Sequence, residues 1–199
     1  AGEDQAWTGA LWSPVHRELV LYHDEAGTDE LLASARHESF HQYLFWAGAM
    51  QTAAPLFNEG HAQLFERAHF DSDGRVVYGA DPVAVRCFAG AAAEKFAALL
   101  PAFLKLDYAA FYDERPEVRA LNYALAWSVA YFLEVGAPNV RFAPWKDVRA
   151  DYVRALVATG SMEAATDAAL PATSRAAFAA KCAAVAREAD IALNAADYI

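Results

Sequence analysis

Thr28-Asp29-Glu30-Leu31-Leu32-Ala33-Ser34-Ala35-Arg36-His37-Glu38-Ser39-Phe40-His41-Gln42-Tyr43-Leu44-Phe45-Trp46-Ala47-Gly48, with Pro55-Leu56-Phe57-Asn58-Glu59-Gly60-His61-Ala62 shortly after it, is the stretch around which the chain is organised. Thr28 or Asp29 is suited to cap a helix, Glu30 suits its positive N-terminal end, and Leu31, Leu32, Ala35 and Phe40 carry the apolar pattern toward Gly48. Residues 49–55 read as a connection, and Pro55 suits the first turn of a second helix running to about Arg67. On the first helix His37 and His41 are four residues apart, about 6 Å of rise, with both imidazoles on nearly one face. That spacing lets two rings reach one ion. Glu38, one residue on, points about 100° around the helix, toward a water on such an ion rather than the ion itself. Catalytic zinc takes three protein ligands and keeps a position for water. An antiparallel return of the second helix brings Glu59 back toward the histidines as the third ligand.

Outward from this stretch the pattern is mostly helical. Upstream, residues 1–16 show no periodicity, though Trp7 and Trp12 imply that the segment packs on something. Arg17 to His23 is an apolar run of strand length bounded by Asp24 and Gly27. Downstream, Asp71-Ser72-Asp73-Gly74 before Arg75-Val76-Val77-Tyr78 reads as a turn feeding a short strand, hence a small hairpin. Helices are expected over Pro82 to Leu99 with a Pro101-interrupted continuation to about Leu106, then Pro116 to Glu134, Trp145 to Thr159, Met162 to Leu170 and Thr173 to Asn194. The expected fold class is mainly α with a small β component (α+β). It forms one domain over 1–199, with the strands and the histidine helix in 1–80 and a helical subdomain in 81–199.

Composition bounds the function. Twelve Phe, nine Tyr and five Trp in 199 residues supply a large core. The net charge of -10 opposes nucleic-acid and anionic-membrane binding. No run approaches the roughly 18 apolar residues of a spanning helix, so no transmembrane segment is expected. Cys87 and Cys182 are too few for a disulfide framework and read as two small hydrophobes on helices, with one disulfide left open. The chain does not begin with Met, which suggests a processed or trimmed N-terminus.

A His-Glu-x-x-His helix followed, seventeen residues after its second His, by Asn58-Glu59-Gly60-His61-Ala62 resembles the gluzincin zinc metallopeptidases. The likeness is to aminopeptidase N relatives and peptidase-MA-like bacterial domains. The spacing is one residue shorter than is usual in the aminopeptidases. The resemblance implies a gluzincin-like catalytic core and a Zn2+ cofactor held by His37, His41 and Glu59, with Glu38 as general base. It further implies that Glu66, seven residues after Glu59, supports a ligand histidine. Tyr123, heading a helix sixty-odd residues on, corresponds to the family's oxyanion-stabilising tyrosine, although Tyr-Ala-Leu-Ala stands here where that family has Tyr-x-Lys-Gly. The implied activity is hydrolysis of a peptide or protein substrate, and the implied setting is extracytoplasmic, secreted or in the cell envelope. The family's Gly-Ala-Met-Glu-Asn segment is absent, which argues against aminopeptidase activity. Its substrate edge, a strand upstream of the active helix, falls on Leu19 to Tyr22.

Other residues have plainer readings beside these. His61 and His69 are expected to be structural. Asp71-Ser72-Asp73-Gly74 resembles part of a calcium loop but has His69 and Ala80 where acids are needed, so turn chemistry is the reading. Lys105, Arg115, Arg119 and Arg141 are all available cations for a substrate carboxylate. The competing function is a zinc-binding but catalytically inactive interaction or scaffold domain, whose signature is zinc without hydrolysis.

Overall fold

A computed structural model of the chain describes residues 9–22, 27–88, 95–138 and 144–196, with side chains described up to Asp190. Trp7, His23 and Arg141, and the middle of the expected Pro82 to Leu99 helix, lie outside the described residues. The architecture is mainly α with two small antiparallel hairpins.

The first hairpin joins β1 (Ala10–Ser13) to β2 (Glu18–Leu21), with Ala10 opposite Leu21 and Ser13 opposite Glu18. β1 falls in the segment without periodicity. Its turn is closed by Arg17 at φ 57, with the Arg17 N–H donating to the Ser13 carbonyl at 2.7 Å. Arginine in the left-handed region carries none of the Gly or Asn signal that marks such a turn, so β1 has no signature in the sequence. The second hairpin, β3 (Ala68–Phe70) with β4 (Val76–Tyr78), is the expected one. Asp71 Oδ1 accepts the N–H groups of Asp73 and Arg75 at 2.9 and 2.8 Å, so the acidic tetrad serves its own turn.

α1 (Thr28–Ala47) carries the histidines. Its N-cap is Gly27, with no side-chain cap, so Thr28 and Asp29 stand inside the helix rather than capping it. α1 ends where the Gly48 N–H bonds the Leu44 carbonyl, and Ala49 and Met50 then take φ 53 and 65 to turn the chain back. α2 (Pro55–Glu66) starts with Pro55 in its first turn. The Ala54 N–H, freed at that helix start, donates to the Tyr152 hydroxyl at 2.6 Å.

α3 (Pro82–Cys87) is capped by Asp81, and α4 (Phe96–Phe103) contains Pro101 in its body. The expected interruption at Pro101 is therefore a correction. Leu104 N–H still bonds the Leu100 carbonyl at 2.9 Å, and the helix needs only one turn beyond the proline. α5 (Tyr108–Phe111), a single turn capped by Asp107, is followed by α6 (Pro116–Tyr131), which passes into a π-helical turn over Phe132–Gly136. α7 (Val148–Thr159), α8 (Met162–Ala169) and α9 (Arg175–Ala196) complete the chain.

One apolar cluster runs from Phe40 and Leu44 of α1 through Trp127 and Phe132 to Phe178 and Val185 of α9. α2 lies between α1 and α6. A Cβ on Gly60 would stand 2.3 Å from the Ala126 carbonyl oxygen, so glycine is what allows α2 and α6 to pack backbone to backbone. Cys87 and Cys182 are free thiols, the second fully buried. No helix among the described residues is long and apolar enough to cross a membrane.

Candidate metal centre

α1 and α2 run antiparallel, and the structure brings His37, His41 and Glu59 to one point between them. The Nε2 atoms of His37 and His41 each lie 3.7 Å from Glu59 Oε2. That is too long for a hydrogen bond. It is the separation of two atoms sharing one cation at ligand bonds of about 2.1 Å. The rings meet edge to face at 4.8 Å between centroids.

Each histidine has its other nitrogen engaged. His37 Nδ1 lies 3.2 Å from Glu66 Oε2, and His41 Nδ1 lies 2.8 Å from Asn58 Oδ1. Because a carboxylate and an amide oxygen only accept, both Nδ1 atoms carry a proton, and each ring directs its Nε2 atom toward Glu59. Asn58 continues the chain: its Nδ2 donates to the Tyr108 hydroxyl at 2.7 Å, and Tyr108 donates to the Ala53 carbonyl at 3.1 Å. Glu66 is steadied by Arg36, whose guanidinium donates to the Glu66 backbone carbonyl at 2.8 and 3.1 Å.

Glu59 is almost wholly buried, and Tyr112 donates to its Oε1 at 2.7 Å. Burial alone pushes the Glu59 carboxyl up, but His37, His41 and Tyr112 together outweigh it and hold Glu59 below the ordinary carboxylate range. Burial and the Glu59 charge raise Tyr112, so its hydroxyl keeps its proton and remains a donor. For His37, burial opposes the imidazolium, while the neighbouring Glu59 carboxylate, the hydrogen bond to Glu66 and the charge of Glu38 prevail and raise it to about 10. A cation is favoured at this point, and without an ion the proton on His37 supplies it.

Two carboxylates compete for the third-ligand role. Glu38 also has an oxygen close enough to the histidine nitrogens to form a ligand group, within 4.8 Å. Glu38 Oε2, however, accepts the Trp12 N–H of β1 at 2.7 Å, whereas Glu59 Oε2 is equidistant from both Nε2 atoms and has its partner oxygen fixed by Tyr112. The donor set of two imidazoles and one buried carboxylate therefore fits a divalent ion such as zinc, with Glu38 beside it. No family model, curated protein or solved structure matches this chain. The functional reading rests on this geometry.

The site opens into a cleft of about 1340 Å³, whose lining includes Trp12, Glu38, Tyr108, Tyr112, Arg119 and Tyr123. Tyr123 reaches this cleft from α6, and burial followed by the Glu59 charge raises it, so it too remains protonated. His61 does not reach it. That ring is stacked between Phe40 and Phe57, donates from Nδ1 to the Phe57 carbonyl at 2.9 Å, and faces Glu134 at 3.5 Å. His69 is exposed on β3.

Tyr108 and Tyr112 carry no motif in the sequence. Tyr108 opens α5 and Tyr112 caps its C-terminal end, and the only signal is the aromatic run Tyr108 to Tyr112 between Leu106 and Pro116. The strand beside the site is β1, not the Leu19 to Tyr22 run. Tyr22 N–H bonds the Gly9 carbonyl at 2.8 Å, so alternate residues of β1 pair with β2 while Ala10 and Trp12 face away, Trp12 toward Glu38.

Proposed function

We propose that this chain is a zinc-dependent hydrolase acting on peptides. The observation that carries the reading is the pair of imidazoles aimed by Glu66 and Asn58 at one oxygen of a buried carboxylate, a set of donors with little structural use unless an ion joins them. His37, His41 and Glu59 would hold the ion. When bound, it supplies Lewis-acid polarisation of a carbonyl and lowers the pKa of water toward about 7.

The chain's own groups divide the remaining work. Glu38 accepts the proton of the attacking water at its carboxylate and returns one to the departing amine nitrogen. The Trp12 N–H holds one oxygen of Glu38, leaving the other free for that transfer. Tyr123, kept protonated, donates to the oxygen on which charge develops. The cleft volume exceeds the roughly 300–1,000 Å³ of small-molecule sites, which suits a chain of several residues.

The test is a metal assay joined to peptide-library cleavage. Parent protein should bind one equivalent of zinc and cleave peptides, and chelation should stop cleavage. Glu38→Gln should keep the zinc and lose about 10²- to 10⁴-fold in kcat. Full hydrolysis by a zinc-loaded Glu38→Gln sample would remove Glu38 as base, and zinc without cleavage by the parent would favour the inactive scaffold.

A further inference from the structure

Four cations are open for a substrate carboxylate at the level of sequence, and two of them drop out because they are paired. Arg115 chelates Asp113 through Nε and Nη2 at 2.8 and 2.7 Å, Lys105 pairs with Glu163 at 3.6 Å, and Arg141 lies outside the described residues. Arg119 remains. It is half-buried in the wall of the metal-centre cleft, and it has no hydrogen-bond or ion-pair partner among the described residues.

Three observations make that isolation informative. Arg119 sits in the first turn of α6, where a cation opposes the helix dipole, so its placement does not serve the helix. It stands four residues before Tyr123, on the same face and about 6 Å of rise away. Tyr123 in turn is 6.3 Å, ring to ring, from the Tyr112 that holds Glu59. The acidic groups around it do not pair with it: Asp113, whose carboxyl feels the Arg119 charge, is chelated by Arg115 through both oxygens, Glu38 serves Trp12, Glu59 and Glu66 serve the histidines and Tyr112, and Glu114 is exposed to water.

We infer that Arg119 is the anchor for a carboxylate of the substrate, and that this cleft selects carboxylate-bearing peptides. The inference rests on the hydrolase reading for where the scissile bond lies. A planar guanidinium binds a carboxylate through two parallel hydrogen bonds, so one uncommitted Arg suffices for recognition. A polyanion is disfavoured by the net charge of -10. The carboxylate comes from a free C-terminus or from an acidic side chain, and the experiment separates these.

Zinc-loaded Glu38→Gln protein, which holds substrate without turnover, is titrated calorimetrically with three probes. These are N-acetyl-tetra-alanine as the free acid, the same peptide as its C-terminal amide, and an amide in which the third residue is Glu. The free acid is expected to bind about tenfold or more tighter than the alanine amide, as for hydrogen bonds to charged groups. In the double variant with Arg119→Met that ratio should collapse to near one, with thermal unfolding unchanged, and Arg119→Lys should restore part of it. If the Glu-bearing amide is the preferred probe and loses its advantage in Arg119→Met, the anchor stands with the side chain as its source. Equal affinity for all three probes, or a preference that survives Arg119→Met, overturns the inference. Because the readout is binding, failure of the parent to cleave peptides would count against the hydrolase reading and leave the Arg119 result legible.

Discussion

At the scale of single residues, the hydrogen bonds behind the histidines matter as much as the histidines. His41 is oriented by a chain of donors through Asn58 and Tyr108 to the Ala53 carbonyl, and Glu59 is held by Tyr112. Removing the Tyr112 hydroxyl leaves a buried anion with one fewer donor and a carboxylate free to rotate. Tyr112→Phe is expected to weaken zinc about 10- to 100-fold, read by competition with a chromophoric chelator, while circular dichroism stays unchanged. Unaltered affinity would show that Tyr112 does not act through Glu59. The proton on His37 gives a second prediction. His37 is raised to about 10, above its ordinary 6.5, so its contribution to ion-free stability is complete below pH 6.5 and is lost as pH rises toward 10. Ion binding runs the other way, because the ion replaces that proton. Zinc affinity should increase from acid to alkaline pH, with about one proton released per ion at neutral pH. Calorimetry in two buffers of different ionisation enthalpy measures the release, and none would place the ion elsewhere.

Between elements, the distance from α2 to its two neighbours sets the site. α2 carries Asn58, Glu59 and Glu66 on the side facing α1, and its other side lies against α6 with Gly60 over the Ala126 carbonyl. Gly60→Ala puts a methyl group 2.3 Å from a backbone oxygen that cannot swing aside. The cost is expected to be about 1–3 kcal/mol in urea unfolding. The displacement of α2 should also lower zinc affinity, which a stability loss elsewhere in the core would not do. The reversal at Ala49 and Met50, both in the left-handed region, fixes how α2 returns along α1.

For the molecule as a whole, a second polar cluster ties α2 to the C-terminal layer. Glu134, in the π-helical turn, lies 3.5 Å from His61 of α2 and 2.9 Å from Arg149 of α7. Burial alone would raise Glu134, but His61 and Arg149 outweigh it and hold the carboxyl below its ordinary value of 4.5. A depressed carboxyl stabilises the fold above its unfolded pKa and loses that contribution as pH falls through the folded value. Glu134→Gln should therefore be less stable than the parent at neutral pH, and the difference should shrink steadily below pH 4.5. Unfolding titrations at neutral and acid pH check this, and a constant difference would mean that the Glu134 charge is not the cause.

Local features were legible in the sequence because they depend on neighbours along the chain. Helical spacing puts His37 and His41 on one face, the Pro55 start and Gly48 stop bound α1 and α2, and Asp71 to Gly74 closes its own turn. The mainly α class follows from the same periodicity. Features made by residues far apart were not. β1 has no pattern of its own and exists through pairing with β2 and through Trp12 on Glu38, across 26 residues. Tyr112 reaches Glu59 across 53 residues, and Arg119 differs from Lys105 and Arg115 in where α6 leaves it. Sequence by itself determined which side chains can share a helix face. Tertiary packing decided which tyrosine holds the buried carboxylate and which of the described candidate cations is left without a hydrogen-bond or ion-pair partner, because both depend on how α5 and α6 close over α2.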